Sequence, residues 1–310
     1  MTDRTRPTGP GTEPAAGTEP ATGTPPVAGT PPAAATDPAA GTPSQTLVSG
    51  TTRLYAVLGD PVGQVRSPGL LNPLFARLGI DAVLVPVHVR PDDLETVLRG
   101  LTRVGNLDGL FVTVPHKTAA ARLADRRSPT VELTGSANAL RPEPDGTWLA
   151  DNFDGSGFVA GLVQAGHRPK GAKAALIGAG GAGSAIAAAL LGAGVDRLTL
   201  TDPDTPRLTA LADRLAAHWP GRVHAAARPP LSDCDIAVNA TPLGLRPDDP
   251  LPFPPRQLPP GAVVADIIMK PHDTRLLREA AAHGLAVHHG HHMLAGQLDS
   301  YRAFFGLDRP

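Results

Sequence analysis

The sequence predicts an α/β fold in which strands alternate with helices, and three observations lead to this class. Apolar runs typical of buried strands alternate with amphipathic runs between residues 53 and 114. A second apolar run, at residues 174–177, leads through a glycine-rich turn into a helix, expected at residues 185–191, with small residues on its packing side. The first 47 residues are instead rich in Gly, Thr, Pro and Ala, with no aromatic side chain to bury. We therefore expect a disordered tail at residues 1–47, ahead of a folded region.

Length, charge and cysteine content narrow the class of protein further. A chain of 310 residues is long enough for two domains. The 28 basic and 29 acidic residues are interspersed and give a net charge of -1, so no basic surface predicts binding to nucleic acid or to an anionic membrane. The single cysteine, Cys234, is expected to be a buried residue in a reducing compartment. No apolar run approaches the ~20 residues of a membrane span and no secretory signal is present, so we expect a cytoplasmic protein.

The first part of the folded region predicts a mostly parallel sheet. Three strands and two helices are expected at residues 53–59, 68–78, 82–89, 92–103 and 107–114. The carboxyl ends of parallel strands meet at one edge of a sheet, where ligands bind. The loop with Ser67 and the loop at residues 113–117 both follow strands, so both are candidate ligand sites.

Four polar residues in or near such loops could carry chemistry. Lys117 starts a predicted helix in apolar surroundings, and a partly buried lysine can exchange a proton with a substrate oxygen. Its ordinary role would be that of a solvated lysine. Asp154 would ordinarily cap a helix expected from about residue 157, Asn138 would occupy a turn, and Gln297 would lie on a helix surface. Taken singly, none of the four identifies an activity.

The glycine turn, Gly178-x-Gly180-x-x-Gly183, matches the fingerprint of a dinucleotide-binding (Rossmann) unit. The first glycine makes the turn, the second lets the backbone approach a pyrophosphate, and the third allows close helix–strand packing. Gly181 belongs to the same expected cofactor site. The next strand, at residues 198–201, ends on Asp202, about 20 residues past the last glycine, as the fingerprint requires. A purely structural turn is the alternative.

Two further segments lie near expected strand ends. Asn239 and Thr241 follow a strand at residues 236–238, and there a cofactor contact is favoured over a plain turn. Five histidines crowd the region before the last helix, but carboxylates are sparse and no cysteine accompanies them, so we expect no metal site. These histidines are His283, His288, His289, His291 and His292.

Eight segments, in order along the chain, resemble the signatures of the shikimate dehydrogenase family. Together they span about residues 53–307, and their order is far more specific than the glycine turn alone. They lie at residues 55–61 with 67–68, 112–117, 135–138, 151–155, 178–183, 239–244, 266–271 and 290–297.

The resemblance implies a two-domain enzyme that reversibly reduces 3-dehydroshikimate to shikimate with NAD(P). A substrate-binding and catalytic domain would span residues 48–155, a Rossmann domain residues 156–288, and residues 289–310 would return to the first domain as a helix. Lys117 and Asp154 match the catalytic pair of the family. Lys117 would protonate the developing alkoxide, and Asp154 would orient the lysine and the substrate.

The resemblance also implies the substrate contacts. Thr113, Asn138 and Gln297 match positions that hydrogen-bond the hydroxyl groups of the substrate, and Ser67 matches a position that binds its carboxylate. We expect a small-molecule substrate, no nucleic-acid or membrane partner, and a homodimer as one assembly that the sequence allows.

Four residues depart from the family pattern. Val65 and Met269 stand where a Ser and a Tyr usually bind the substrate carboxylate, while Phe111 and Phe153 replace an Asn and a Thr. A lost hydrogen bond to a charged group costs roughly 1.5–3 kcal/mol, so other donors must bind the carboxylate or the substrate differs. Quinate, or a related cyclohexane carboxylic acid, is therefore an alternative substrate.

The cofactor segment departs as well. Asp202 stands at the end of the second Rossmann strand, and Pro203 occupies the position of the arginine that meets the 2′-phosphate in NADP-using members. A carboxylate there pairs with a free ribose hydroxyl and repels a phosphate, so the sequence favours NAD over NADP, although Arg207 could still reach a phosphate. A non-catalytic metabolite sensor with the same fold is the rival from another class.

Overall fold

A computed structural model describes residues 48–308, which form two six-stranded sheets with their helices in one compact unit of the chain. The expected disordered tail at residues 1–47 lies outside the described residues. The strands are β1 Arg53–Gly59, β2 Ala82–His88, β3 Leu107–Val112, β4 Arg126–Arg127, β5 Ala139–Pro142, β6 Trp148–Asp151, β7 Lys173–Ile177, β8 Arg197–Thr201, β9 Val223–Ala225, β10 Ile236–Asn239, β11 Val263–Asp266 and β12 Ala286–His288. The α-helices are α1 Ser67–Leu78, α2 Leu94–Leu101, α3 Lys117–Leu123, α4 Pro129–Thr134, α5 Asp154–Gln164, α6 Gly181–Gly192, α7 Thr205–His218, α8 Arg275–Ala282, α9 His291–Gly296 and α10 Leu298–Phe305. None of these helices is both long enough and apolar enough to span a bilayer.

The first sheet has the strand order β2-β1-β3-β5-β6-β4. β1 pairs in parallel with β2 and with β3, as the alternation of strands and helices predicts. The hairpin of β5 and β6 then adds antiparallel pairing at β3 and within the hairpin itself. The sheet is therefore mixed, and its parallel half carries the loops in which the sequence placed ligand sites.

The second sheet has the order β9-β8-β7-β10-β11-β12, and all of its strand pairs are parallel. This is the doubly wound order of a Rossmann fold, so the α/β prediction is confirmed. Residues 174–177 of β7 are buried on both faces, because helices cover both sides of the sheet. The strand order reverses between β7 and β10, and ligands of such sheets bind in the crevice at that point.

Helix α5 connects the two sheets and packs closely on its neighbours. A Cβ on Gly155 would lie 2.1 Å from the carbonyl oxygen of Ala185 in α6, and one on Gly157 would lie 2.5 Å from that of Met293 in α9. Only glycine permits these approaches, since real Cβ contacts are essentially never so short. The start of α5, where Asp154 stands, is thereby held against both neighbouring helices.

The last helix packs on the first sheet. The ring of Phe305 meets that of Tyr55 edge-on at 5.3 Å, and the ring of Tyr301 meets that of Phe111 at 4.8 Å. The guanidinium of Arg141 in β5 also lies 4.9 Å above the ring of Phe304. α10 thus belongs to the core of the first sheet, while the domain boundaries at residues 155 and 288 stay predictions.

Two helices start earlier than their sequence pattern suggests. α5 begins at Asp154 rather than near Gly157, and the side-chain oxygen of Asn152 accepts the Asp154 amide at 2.9 Å in an Asx turn just before the helix. α6 begins at Gly181 rather than Ala185, and its first helical bond runs from the Ser184 amide to the Gly180 carbonyl. The spacing of apolar residues could not predict these first turns, because they consist largely of glycine and polar residues.

Candidate active site

A buried ion pair joins the first turns of two helices. Lys117 is the first residue of α3, after β3, and Asp154 is the first residue of α5, after β6. The Lys117 Nζ donates to Asp154 Oδ2 at 2.6 Å, and the two side chains are only 11% and 4% exposed. A charged pair removed from water is costly unless further hydrogen bonds satisfy it. Asp154 Oδ1, the other carboxylate oxygen, accepts such hydrogen bonds.

Two amide side chains hold the second oxygen of Asp154. Asn138 Nδ2 donates to Asp154 Oδ1 at 3.0 Å, and Gln297 Nε2 donates to the same oxygen at 3.1 Å. The Asn138 side chain is itself fixed, because its Oδ1 accepts the Phe153 amide at 3.0 Å. The structure therefore brings together four of the residues that the sequence singled out, although Gln297 lies 143 positions beyond Asp154.

Tyr301 closes this network, and the sequence analysis missed it. Its hydroxyl donates to Gln297 Oε1 at 2.6 Å and accepts from Asn138 Nδ2 at 3.1 Å. Burial first, and then the Asp154 carboxylate, raise the pKa of Tyr301 well above its ordinary value, so the phenol stays neutral and remains a donor. Its position four residues after Gln297, on the same helical face, is the signal that could have found it.

Phe111 and Phe153 form an aromatic wall beside the network. The ring of Tyr301 meets that of Phe111 at 4.8 Å and that of Phe153 at 5.4 Å, both edge-on. Two positions at which the family pattern has polar side chains are thus apolar contacts of Tyr301 here. The site is more aromatic than the family pattern implies.

Thr113 lies just past the end of β3 and Ser67 at the start of α1, and both are outside this hydrogen-bond network. Thr113 follows β3, and a Cβ on Gly59 would meet its methyl group at 2.5 Å, so a glycine at position 59 leaves room for Thr113. Ser67 begins α1 after Arg66. Within residues 48–308, neither side chain bonds to Asp154, Asn138 or Gln297. Their roles as substrate ligands stay predictions.

The glycine turn lies directly against the ion pair. A Cβ on Gly181 would lie 2.9 Å from the Cβ of Lys117 and 3.0 Å from the hydroxyl of Ser136. That hydroxyl donates to the Gly181 carbonyl at 2.8 Å and accepts from Asn152 Nδ2 at 3.0 Å. The start of α6, which follows β7 of the second sheet, therefore lies directly against Lys117.

The turn has the features that a dinucleotide requires. Gly178 has a φ of 108°, and a Cβ on Gly183 would lie 1.9 Å from the Gly178 carbonyl oxygen, so neither position admits a side chain. A Cβ on Gly180 would meet nothing within 4 Å, which leaves its backbone open to a ligand. No side chain caps the start of α6 among the described residues, so its positive end is available to an anion. These residues fit a pyrophosphate.

Asp202 is buried at the end of β8 and tied to the turn. Its Oδ2 accepts the Ala179 amide at 2.6 Å, while its Oδ1 accepts the Asp204 amide at 2.8 Å and Arg207 Nη2 at 2.7 Å. Burial would raise the pKa of Asp202, but these hydrogen bonds, led by that of Arg207, outweigh burial and lower it. The carboxylate is therefore ionised at neutral pH.

Asn239 is fully buried and organises the loop after β10. Its Oδ1 accepts from the amide and the hydroxyl of Thr241 at 3.0 and 2.7 Å, and its Nδ2 donates to Asp266 Oδ1 at 3.1 Å. The pKa of Asp266 is raised by burial, although Thr274, Ile268 and Asn239 all donate to it. The loop faces the crevice at the strand reversal; direct cofactor contacts by Asn239 and Thr241 stay predictions.

Fold and site together define a class: oxidoreductases that use a nicotinamide dinucleotide, in which a Rossmann sheet supplies the cofactor cradle and a second sheet supplies a buried lysine–aspartate pair. Residues 57–140 match the family model described as the shikimate dehydrogenase substrate binding domain. A shikimate dehydrogenase (NADP(+)) from Rubrobacter xylanophilus is 40% identical over 267 residues, which cover 84% of this chain and 93% of that protein. The chain belongs to the shikimate dehydrogenase family.

Solved structures with the same fold show that this architecture accepts more than one substrate and cofactor. A quinate dehydrogenase from Corynebacterium glutamicum in complex with NAD is 30% identical, covers 82% of this chain and 94% of its own, and gives a TM-score of 0.73. A shikimate 5-dehydrogenase from Thermus thermophilus in complex with NADP(H) and shikimate is 31% identical, covers 82% and 94%, and gives a TM-score of 0.72. The chain is thus an NAD(P)-type oxidoreductase. Its substrate and its preferred dinucleotide depend on the residues of its own site.

Proposed function

We propose that this chain reversibly reduces 3-dehydroshikimate to shikimate, interconverting a ring ketone and a ring hydroxyl. The observation that carries the proposal is the Lys117–Asp154 ion pair, buried beneath the glycine turn and surrounded by the amides of Asn138 and Gln297. A buried ammonium held by a carboxylate can give a proton to an alkoxide and take it back in the reverse direction. Bound at the turn, the nicotinamide supplies or accepts the hydride.

The residues around the pair assign a role to each group. Lys117 Nζ donates the proton to the oxygen that develops negative charge, and Asp154 Oδ2, at 2.6 Å, fixes the ammonium in position. Asp154 Oδ1 is held by Asn138 and Gln297, so the carboxylate does not rotate away when the proton moves. Burial beside Gly181 keeps water from competing for that proton.

Quinate is the second candidate substrate, because the residues expected to bind the substrate carboxylate differ from the family pattern. Val65 and Met269 offer no hydrogen-bond donor where the family pattern places hydroxyl groups. The exposed cations Arg66 and Lys270 are the neighbours in sequence that could bind the carboxylate instead. If the substrate carboxylate does lie beside Val65, Val65→Ser adds one donor, and kcat/KM for the carboxylate-bearing substrate should rise about tenfold, equal to ~1.4 kcal/mol.

NAD is the dinucleotide that we propose, and the charges at the end of β8 support it. Arg207 bonds to Asp202 at 2.7 Å and lies 3.4 Å from Asp204, so one cation is shared between two carboxylates. The three side chains carry a net charge of -1 (two carboxylates and one guanidinium). A 2′-phosphate beside them would be repelled, whereas a ribose hydroxyl could donate to Asp202.

Steady-state kinetics with shikimate and with quinate, each with NAD and with NADP, test the proposal. We expect the highest kcat/KM with shikimate and NAD. Lys117→Met should lower kcat by at least about 10³-fold while leaving NADH binding, measured by fluorescence titration, nearly unchanged. Lys170→Met, at an exposed lysine of the same chain, is the matched control and should keep full activity. Turnover of Lys117→Met within about tenfold of wild type would refute the catalytic assignment.

A further inference from the structure

Six histidines gather beside the carboxyl ends of β11 and β12, and the proposed reaction uses none of them. Their rings form a continuous chain of contacts, with centroids 4.0 Å apart for His291 and His292, 4.7 Å for His288 and His292, and 4.3 Å for His272 and His289. His272 comes from the loop after β11 and was not among the histidines that the sequence grouped. The members are His167, His272, His288, His289, His291 and His292.

Within this cluster, one carboxylate lies between two imidazoles. Asp273 Oδ1 lies 2.9 Å from His289 Nε2, and its Oδ2 lies 3.4 Å from His272 Nδ1. One ligand atom from each of the three residues lies within 4.8 Å of the others. Two imidazole nitrogens and a carboxylate oxygen at such separations can be bridged by one metal ion with bonds of about 2.0–2.2 Å after small side-chain rotations. The ring of His291 lies 5.0 Å from that of His272, beside these three residues.

Buried contacts hold the loop after β11, which carries His272 and Asp273, next to the turn after β12, which carries His289. Asp266, at the end of β11, accepts from the Thr274 hydroxyl at 2.8 Å and from the Ile268 amide at 3.1 Å, which anchors both ends of the loop that carries His272 and Asp273. A Cβ on Gly290 would lie 2.6 Å from the carbonyl oxygens of that same loop, so the turn after His289 rests directly on it. The ligand positions are therefore set by buried contacts, although the side chains of His272 and Asp273 reach solvent.

We propose that His272, Asp273 and His289 bind a divalent first-row transition metal ion, with Zn²⁺ as the representative. Nitrogen-rich sites with one carboxylate suit Zn²⁺, Co²⁺ and Ni²⁺, whereas Mg²⁺ and Ca²⁺ prefer all-oxygen ligands. The ion would join the loop after β11 to the turn after β12 and restrain the loop that also carries Met269 and Lys270. Only this last consequence rests on the proposed function, since that loop borders the expected carboxylate site.

Isothermal titration of the untagged, EDTA-treated full chain with ZnCl₂ tests the site, and the visible spectrum after addition of CoCl₂ reports its ligands. We expect one strong site per chain. His289→Ala and Asp273→Asn should each weaken Zn²⁺ binding at least about 100-fold, because each removes one of three ligands. His224→Ala and His283→Ala, at exposed histidines outside the cluster, should bind as wild type does.

Two results would overturn the metal site: equal Zn²⁺ affinity in wild type, His289→Ala and Asp273→Asn, or loss of binding in the two control variants. Circular dichroism of each variant separates ligand loss from misfolding, and Asp273→Asn changes shape too little to disturb the fold. The kinetic arm is read separately. If Zn²⁺ raises or lowers KM for the carboxylate substrate without changing kcat, the loop is restrained as described. If the metal-free wild type is inactive with every substrate, that result counts against the proposed function. The titration result would still stand in that case.

Discussion

Replacing Tyr301 with phenylalanine removes a single oxygen from the centre of the site. The ring contacts with Phe111 and Phe153, at 4.8 and 5.4 Å, would persist, so no cavity of consequence forms. Asn138 Nδ2 would lose one acceptor but keep Asp154 Oδ1 at 3.0 Å. Gln297 Oε1 would lose its 2.6 Å donor and remain buried. The change therefore leaves one buried acceptor, Gln297 Oε1, and one of the two Asn138 Nδ2 hydrogens without a partner.

An orphaned buried acceptor costs about 1–3 kcal/mol, and we expect ~2 kcal/mol here. For a folded region of this size, ~2 kcal/mol corresponds to a fall in Tm of about 4–8 °C. The freed Gln297 amide would also hold Asp154 less firmly, and we expect kcat to fall about tenfold, or ~1.4 kcal/mol, because the carboxylate must stay fixed while Lys117 transfers its proton.

Thermal unfolding followed by circular dichroism and steady-state kinetics with shikimate would measure both effects. Tyr55→Phe is the matched control: it makes the same chemical change in the same aromatic core, at a hydroxyl outside the network, and should shift Tm by no more than about 2 °C. If Tyr301→Phe melts and turns over as wild type does, the hydroxyl contributes nothing and the closed network has been misread.

Three other changes test separate parts of the structure. Gly183→Ala should abolish NADH binding in a fluorescence titration, since the new Cβ would lie 1.9 Å from a carbonyl oxygen, whereas Gly192→Ala, with nothing within 4 Å, should bind normally. Asp202→Asn keeps an acceptor for the Ala179 amide but removes the charge, so the NAD-to-NADP ratio of kcat/KM should fall about tenfold; an unchanged ratio would make Asp202 purely structural. Cys234 is 2% exposed and burial raises the pKa of its thiol to about 11, so Ellman's reagent at pH 8 should label it only after denaturation; rapid labelling of the native protein would contradict that burial.

Much of the fold could be predicted because its signals are local. The buried run at residues 174–177 and the glycines after it specify β7 and the turn, since only glycine fits at positions 178 and 183. The mixed pairing in the first sheet was less accessible, because the short strands β5 and β6 carry no long apolar run and their partners are set by tertiary packing.

The site was predictable only where a residue could be matched to a family motif. Lys117, Asp154, Asn138 and Gln297 were found in that way, and the structure brings them together. Tyr301 was missed because its spacing of four residues from Gln297 is a weak local signal, which does not show that α10 packs against β3 across nearly 200 positions. His272 escaped for the same reason, since it meets His289 only through the adjacent ends of β11 and β12.

The contact between Gly181 and Lys117 has a consequence for any attempt to diversify this protein in the laboratory. The dinucleotide motif leaves position 181 unrestricted, so a designer changing cofactor preference would count it among the positions open to randomisation. In this chain, the first added carbon would lie 2.9 Å from the lysine side chain. In a saturation library selected for turnover, we expect position 181 to return almost only glycine, while Gly180, which has open space around it, tolerates more variants so long as the cofactor still fits. The loss at position 181 would arise in proton transfer, although the substituted residue belongs to the cofactor cradle.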